Sequence, residues 1–468
     1  MTSPADDQMS TNGGVWQKGQ RALTTGLLLA VIFTAFEALA VATILPTVVD
    51  EIGGLSIYGW AFSAFMLANL IGITIGGDAA DKHGPARPFG IGGLIFAAGL
   101  LAAGFASSMP MLVAARAFQG LGAGALGAVA YVAIGRGYSP EARPRMLAAL
   151  SSAWVIPGML GPSIAGWMTD TIGWRWVFFA LAPAVLAGAL LALQGLRQLG
   201  IPTPAKAPKR GERSRLPMAL LLVAGATLLL VGLENPGEAR RGLAAIAGLM
   251  LLAPALRSLL PPGTLTARAG LPAATLVLGG IGFIFFGAEA FVPLGLTKLR
   301  GLSPTAAGLP LSLGSVFWTA GAWIQAREAP RRSRRAMIAS GLVLIGFGIA
   351  GTSLCLSPAV PVAAVYAFWS VTALGMGIAY STASLSILEG AAPGEEGNAS
   401  ASLQIAMNLG IALGTGVAGA ILALGVAASQ PLANSLNQIN LGMLAATVAT
   451  LLAVIRIAPH PLAGRSEP

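Results

Sequence analysis

Histidine and cysteine are nearly missing from this chain, whose 468 residues include two histidines, His83 and His460, and one cysteine, Cys355. A lone thiol excludes a disulfide framework and a cysteine-based metal site. Both histidines fall in polar connecting or terminal segments, so zinc or Ser-His-Asp chemistry lacks its parts within the apolar body. Charge is equally scarce, at 10% of residues against 55% hydrophobic, and the mean hydropathy is +0.76. No soluble domain of this size has that composition. Residues 1–20 are polar and lack the short apolar core and small-residue cleavage site of a secretory signal peptide, so the first apolar stretch is expected to remain as a membrane span.

What the chain does have is a succession of apolar stretches, each long enough to cross about 30 Å of hydrocarbon. They run over approximately 24–49, 57–80, 88–108, 111–135, 145–169, 174–196, 217–233, 241–256, 272–297, 304–326, 336–356, 360–388, 398–425 and 438–456. Fourteen crossings would put both termini on one side. The formal net charge of +10 is then a matter of topology: 22 of the 28 Lys and Arg fall on the terminus-bearing side, five on the other, and Arg116 lies within a span. The positive-inside rule predicts cytoplasmic termini. This placement argues against nucleic acid as the partner of the basic charge, and leaves weak attraction to anionic lipid as a by-product.

Internal repetition fixes the expected organisation. GYSPEAR at 137–143 is matched by GAAPGEE at 390–396, and GPSIAG at 161–166 by GTGVAG at 414–419, both at an offset of 253. Gly122 and Gly124 meet Gly375 and Gly377 at the same offset. A constant offset across several helices predicts a duplicated six-helix unit in parallel orientation. The expected division is a cytoplasmic tail at 1–23, a six-helix bundle at 24–196, a basic linker with an inserted two-helix hairpin at 197–271, a second bundle at 272–457 and a cytoplasmic tail at 458–468. The first inserted span is short and the second contains Pro254, so twelve spans with a re-entrant or peripheral hairpin is the alternative. The hairpin carries no ionisable residue inside a span and is expected outside the translocation path, packing at the seam between the halves or against lipid.

Two acids stand inside the apolar body, Glu37 in FTAFEALA near the start of the first span and Glu289 in IFFGAEAF, 252 residues later. A charged side chain in a bilayer costs about 2.5–3.5 kcal/mol on insertion scales, so matched intramembrane acids point to proton or cation handling. A structurally satisfied acid is the competing account of Glu289. Arg116 opens RAFQGLGAG in the fourth span; its five donors need partners, and Glu37 is the nearest candidate acid. The remaining motifs are GGDAADKHGPARPF after the second span and GPSIAG in the fifth. The glycines of the former permit a tight turn, and Pro162 of the latter removes a backbone hydrogen bond and bends its helix.

In order and spacing these motifs resemble those of the major facilitator superfamily, within it the drug:proton antiporter group of fourteen-span type. Gly77, Asp81, Lys82, Gly84 and Arg87 match the superfamily's cytoplasmic loop signature, which the resemblance reads as a conformational latch; a solvated loop with topogenic charge is the plainer account. Arg116 with Gln119 and Gly120 matches the antiporter pattern of the fourth helix, and Gly161, Pro162, Ala165 and Gly166 match the antiporter motif of the fifth. Departures are Pro85 and Ala86 at positions usually basic, Gln325 where a second-half acid would stand, and Glu37 where the group commonly has an Asp.

The resemblance implies an all-α polytopic protein of two six-helix bundles with two helices inserted between them. It implies a bacterial inner-membrane transporter, not an enzyme, that uses the proton gradient and no cofactor or metal to expel lipophilic molecules or drugs, cationic ones included, and so confers antibiotic resistance. Its expected partners are that substrate, protons and membrane lipid, and it is expected to act as a monomer. Glu37, Arg116 and Glu289 would couple protons. Phe33, Phe36, Trp154, Phe286, Trp318 and Trp369 would offer apolar and cation-π surface, and Gln119, Gln404 and Asn408, with Asn69, would supply polar contacts. A dedicated exporter of a lipid, siderophore or biosynthetic product is the alternative, and a non-transporting receptor a remote one.

Overall fold

In a computed structural model, residues 15–16, 20–139, 141–200, 215–234, 237–391 and 395–457 are described, and among them every regular element is helical. That is the outcome lipid imposes, because only a helix or a closed barrel satisfies its own backbone polar groups in hydrocarbon. Most of the expected tails and linker, at 1–14, 17–19, 201–214 and 458–468, lie outside the described residues.

The first half contains α1 (Arg21–Ile52), α2 (Trp60–His83), α3 (Ala86–Gly104), α4 (Met109–Gly137), the consecutive pair α5 (Arg143–Ser152) and α6 (Val155–Thr171), and α7 (Arg175–Gln198). The inserted helices are α8 (Leu216–Leu233) and α9 (Ala239–Leu259). The second half contains the pair α10 (Leu271–Glu289) and α11 (Val292–Arg300), then α12 (Pro304–Glu328), α13 (Arg334–Leu354), α14 (Val362–Glu389), α15 (Glu396–Ala427) and α16 (Leu432–Val454). Counting each pair as one crossing gives fourteen helical segments among the described residues. Thirteen are long and apolar enough to span a bilayer; the exception is α12, whose sequence carries Ser, Thr, Gln325, Arg327 and Glu328.

Two expected continuous spans are in fact broken. Pro157 lacks the N–H that would reach the Ala153 carbonyl, and the chain interrupts its helix at Ala153–Trp154. Pro293 does the same to the Glu289 carbonyl, so α10 ends on that acid. Glu37, by contrast, lies near the middle of α1 rather than near its start.

Glycine lets the helices of each half approach closely. Gly72 and Gly76 of α2 rest on Leu121 and Ala125 of α4, while Gly120 and Gly124 of α4 rest on Phe65 and Asn69 of α2; a Cβ at any of the four would run into that backbone. Gly375 and Gly377 of α14 do the same against Gly341 of α13 and Trp318 of α12. No hydrophobic force drives association in lipid, so close packing of this kind has to supply the attraction.

The halves meet mainly through α6 on α12 and α2 on α15, and α1 also touches α11 and α12. Both gather towards the distal end, opposite the end where α1 begins. Gly59 packs on Gly419, Gly166 on Pro304 and Thr305, and Gly308 on the Pro162 carbonyl. Ser63 donates to the Ala412 carbonyl at 2.9 Å and pairs with Thr415 at 3.0 Å, and Ser163 pairs with Ser312 at 2.8 Å. Tyr58 donates to the Ala290 carbonyl at 3.1 Å, Asp170 accepts from the Thr305 amide at 3.0 Å, and Lys298 pairs with Asp50. The α8–α9 hairpin lies along the α2–α15 seam.

Candidate functional site

Four helices of the first half converge on Arg116. Its Nε donates to the Ala61 carbonyl at 2.8 Å, and its Nη1 donates both to Glu37 of α1 and to Gln119, one turn further along α4. Gln119 in turn donates to the Gly99 carbonyl of α3 at 3.1 Å. The Phe65 ring of α2 lies 4.3 Å from the guanidinium carbon, a cation-π distance. Arg116, Glu37 and Gln119 are all fully buried. A buried pair of this kind persists only when the remaining donors and acceptors are met. One is not: Oε2 of Glu37 has no hydrogen-bond partner. The pair therefore keeps one buried acceptor atom without a protein partner.

Glu289, in the second half, has a different setting. It is partly exposed, stands as the last residue of α10 and makes no ion pair among the described residues. A carboxylate at a helix C-terminus faces the negative end of the dipole, a setting that suits a neighbouring cation. Phe285 and Phe286, one turn below it, join Trp318, Trp369 and Tyr380 in a continuous aromatic cluster with centroid separations of 5.2–6.3 Å. Phe286, Trp318 and Tyr380 are partly exposed, whereas Phe285 and Trp369 are buried.

The other sequence-selected residues divide clearly. Phe33 and Phe36 are partly exposed on α1, and Phe36 lies against Gly161 of α6. Trp154 stands half exposed at the α5–α6 break. Asn69 and Asn408 meet across the halves, with Asn408 donating to Asn69 at 3.1 Å, and Gln404 is partly exposed one turn away. Gln119 and Trp369 present nothing to open space in this conformation, the first because Arg116 and Gly99 hold it, the second because it is enclosed. Gly161, Pro162, Ala165 and Gly166 are buried in α6, with Gly161 against Phe36 of α1 and Pro162 and Gly166 against α12. The loop-signature residues Asp81, Lys82 and Arg87 are exposed and make no ion pair among the described residues, and Gly77 has open space around it. Gly84, with φ of +79°, supplies the left-handed turn that any side chain would strain.

Sequence reasoning missed the polar distal contacts. Asp50, Tyr58, Ser63, Asp170, Lys298, Thr305 and Thr415 are unremarkable in their local sequence and become a set only when the halves dock. Tyr380 was likewise unmarked.

The sequence matches the profile of the Major Facilitator Superfamily over residues 27–415. The chain belongs to that superfamily. This superfamily member is accordingly a membrane transporter of small molecules and not an enzyme. It is 26% identical to the multidrug transporter protein MdtP of Bacillus subtilis over 87% of this chain and 76% of that one. It is 25% identical to a probable multidrug-efflux transporter of Mycobacterium tuberculosis, over 89% of this chain and 91% of that one. Among solved structures it is similar in fold to a bacterial homolog of the human lysosomal transporter Spinster, with a TM-score of 0.63 at 14% identity over 94% of this chain and 95% of that one. A POT-family peptide transporter gives 0.67 at 17% identity over 92% and 94%.

Proposed function

We propose that this superfamily member is a proton-coupled efflux antiporter of lipophilic molecules in a bacterial inner membrane, with both termini cytoplasmic. The observation that carries the reading is the buried Glu37–Arg116 pair with its one unpartnered carboxylate oxygen. A proton on Oε2 would cancel the charge that Arg116 holds, leaving the guanidinium with Ala61, Gln119 and Phe65 and loosening α1 from α4. With cytoplasmic termini the distal closure makes this the inward-facing arrangement. Substrate then enters from the cytoplasm or inner leaflet, meets Phe286, Trp318 and Tyr380, and is released outward after the halves rock.

Glu289 above that aromatic surface supports a cationic substrate as one class handled, through the carboxylate and the ring faces together. The loop signature at Asp81 serves as the latch of the opposite, outward-facing state, in keeping with its lack of partners here. The curated relatives named as multidrug transporters support drugs as the cargo. Energetics permit the cycle: one proton crossing about 100 mV releases roughly 2.3 kcal/mol, and half a pH unit adds about 0.7. That sustains roughly a 100-fold outward gradient of a neutral substrate.

Glu37→Gln keeps the hydrogen bond to Arg116 and removes the titration. Substrate binding should persist while uptake into inverted vesicles loses its dependence on an imposed pH gradient. Undiminished proton-driven uptake in this variant would remove Glu37 from the coupling role.

A further inference from the structure

The inserted hairpin is anchored to both halves at once, and at opposite ends. At its distal end, Trp60 of α2 donates through Nε1 to Glu234, the residue closing α8. Arg241 of α9 reaches the other oxygen of that carboxylate at 3.4 Å and Glu238 at 3.3 Å, so the tie includes both inserted helices. At its proximal end, Arg215, the residue opening α8, donates to Asn398 of α15 at 2.6 Å. Trp60 belongs to the first half and Asn398 to the second.

Between the two ties, α8 shares one buried cluster with both halves. Leu222, Ala226 and Leu230 pack with Leu67 and Leu70 of α2 and with Leu409 and Ala412 of α15. Leu230 fills the surface left by Gly416, and Gly416 belongs to GTGVAG, the second-half counterpart of the antiporter motif. Three turns of α8 therefore touch the same α2–α15 seam whose distal glycines, Gly59 and Gly419, are in contact. A helix of 18 residues is about 27 Å long and does not stretch. If the halves rock as rigid bodies, α2 and α15 separate distally, and a rod fixed to one at the top and to the other at the bottom cannot follow both.

We infer that α8 is a diagonal brace between the halves that favours the distally closed state and releases one of its anchors each time the distal end opens. This rests on the alternating-access part of the proposed function and on no assumption about protons. The insertion then sets the balance between the two open states, where the bundles alone would leave it to the α2–α15 and α6–α12 contacts.

The test uses the full chain with Cys355→Ser and spin labels at Ser56→Cys and Ala428→Cys, exposed positions on either side of the distal mouth, in lipid nanodiscs. Trp60→Phe keeps the ring and deletes the donor; Arg215→Ala deletes the proximal tie. Each should raise the fraction of long distal distances, and the double variant should raise it at least threefold, whereas Trp167→Phe, an exposed tryptophan, should change nothing. A double-variant distribution that superimposes on the parent, or that shifts towards shorter distances, overturns the brace. If the double variant does not elute as a folded species, Arg215→Ala alone decides, since that side chain is exposed. A shifted distribution in a protein whose transport ignores the pH gradient would overturn proton coupling and leave the brace standing.

Discussion

Arg116 and Glu37 depend on one another, and on neighbours that cannot be exchanged singly. Removing one member of a buried pair leaves an uncompensated charge at a cost of about 3–5 kcal/mol, whereas replacing both with apolar groups of similar volume is often neutral. Arg116→Met should therefore lower the unfolding temperature in detergent markedly, and adding Glu37→Leu should restore most of it. Transport should stay absent in both, because the double variant has a core and no titratable group. A double variant that transported would show the pair to be structural. Glu37 and Arg116 were legible as a pair because intramembrane charge is rare and needs partners, whereas Gln119, read as a polar substrate contact, is instead held by Arg116 and Gly99. Phe65, Ala61 and Gly99, which complete the site, were not legible, since an aromatic ring and two carbonyls carry no local sign of the guanidinium they will meet.

Helix pairs show how far composition reads and where it stops. The glycines of GLGAGALGA and GPSIAG announce close approach, but the partner helix is a tertiary fact: Gly166 of α6 lies on the first residues of α12, where Asp170 also caps Thr305. Gly166→Val places two methyl groups against the backbone of Pro304 and Thr305, which cannot yield. The distal end should then stay ajar. Maleimide labelling of a cysteine at Ser312, buried in the closed state, should accelerate at least tenfold, and transport should fall by a similar factor. An unchanged labelling rate would mean that this contact does not seal the mouth. The breaks at Ala153–Trp154 and Ala290–Phe291 were written in Pro157 and Pro293 and went unread, because an apolar run of full spanning length outweighs a single proline in a hydropathy window.

The whole molecule is asymmetric although its sequence is duplicated. Among the described residues, the first half carries a buried ion pair and the second an acid without an ion pair over an aromatic cluster, with Trp369 at the position equivalent to Arg116. Charge over the loops predicts which face is which. A fluorescent-protein fusion at either terminus should fluoresce in a bacterial host, and a phosphatase fusion at either should be inactive. The opposite pattern at both ends would invert the topology and turn the distally closed state into an outward-open one.

The sequence by itself determined that this is a polytopic helical membrane protein, that it is built from two copies of one unit with a hairpin between them, and that Glu37 and Arg116 belong together. Those properties follow from transfer free energy, from periodic repetition and from the cost of isolated charge in hydrocarbon, all of which act locally or along the chain. The tertiary structure alone decided which end is closed, that Glu37 keeps a free oxygen while Gln119 is fully engaged, and that the hairpin is tied to both halves. Each of these depends on the docking of elements hundreds of residues apart, through hydroxyls, carbonyls and glycine surfaces that have the same local sequence appearance whether or not they find a partner.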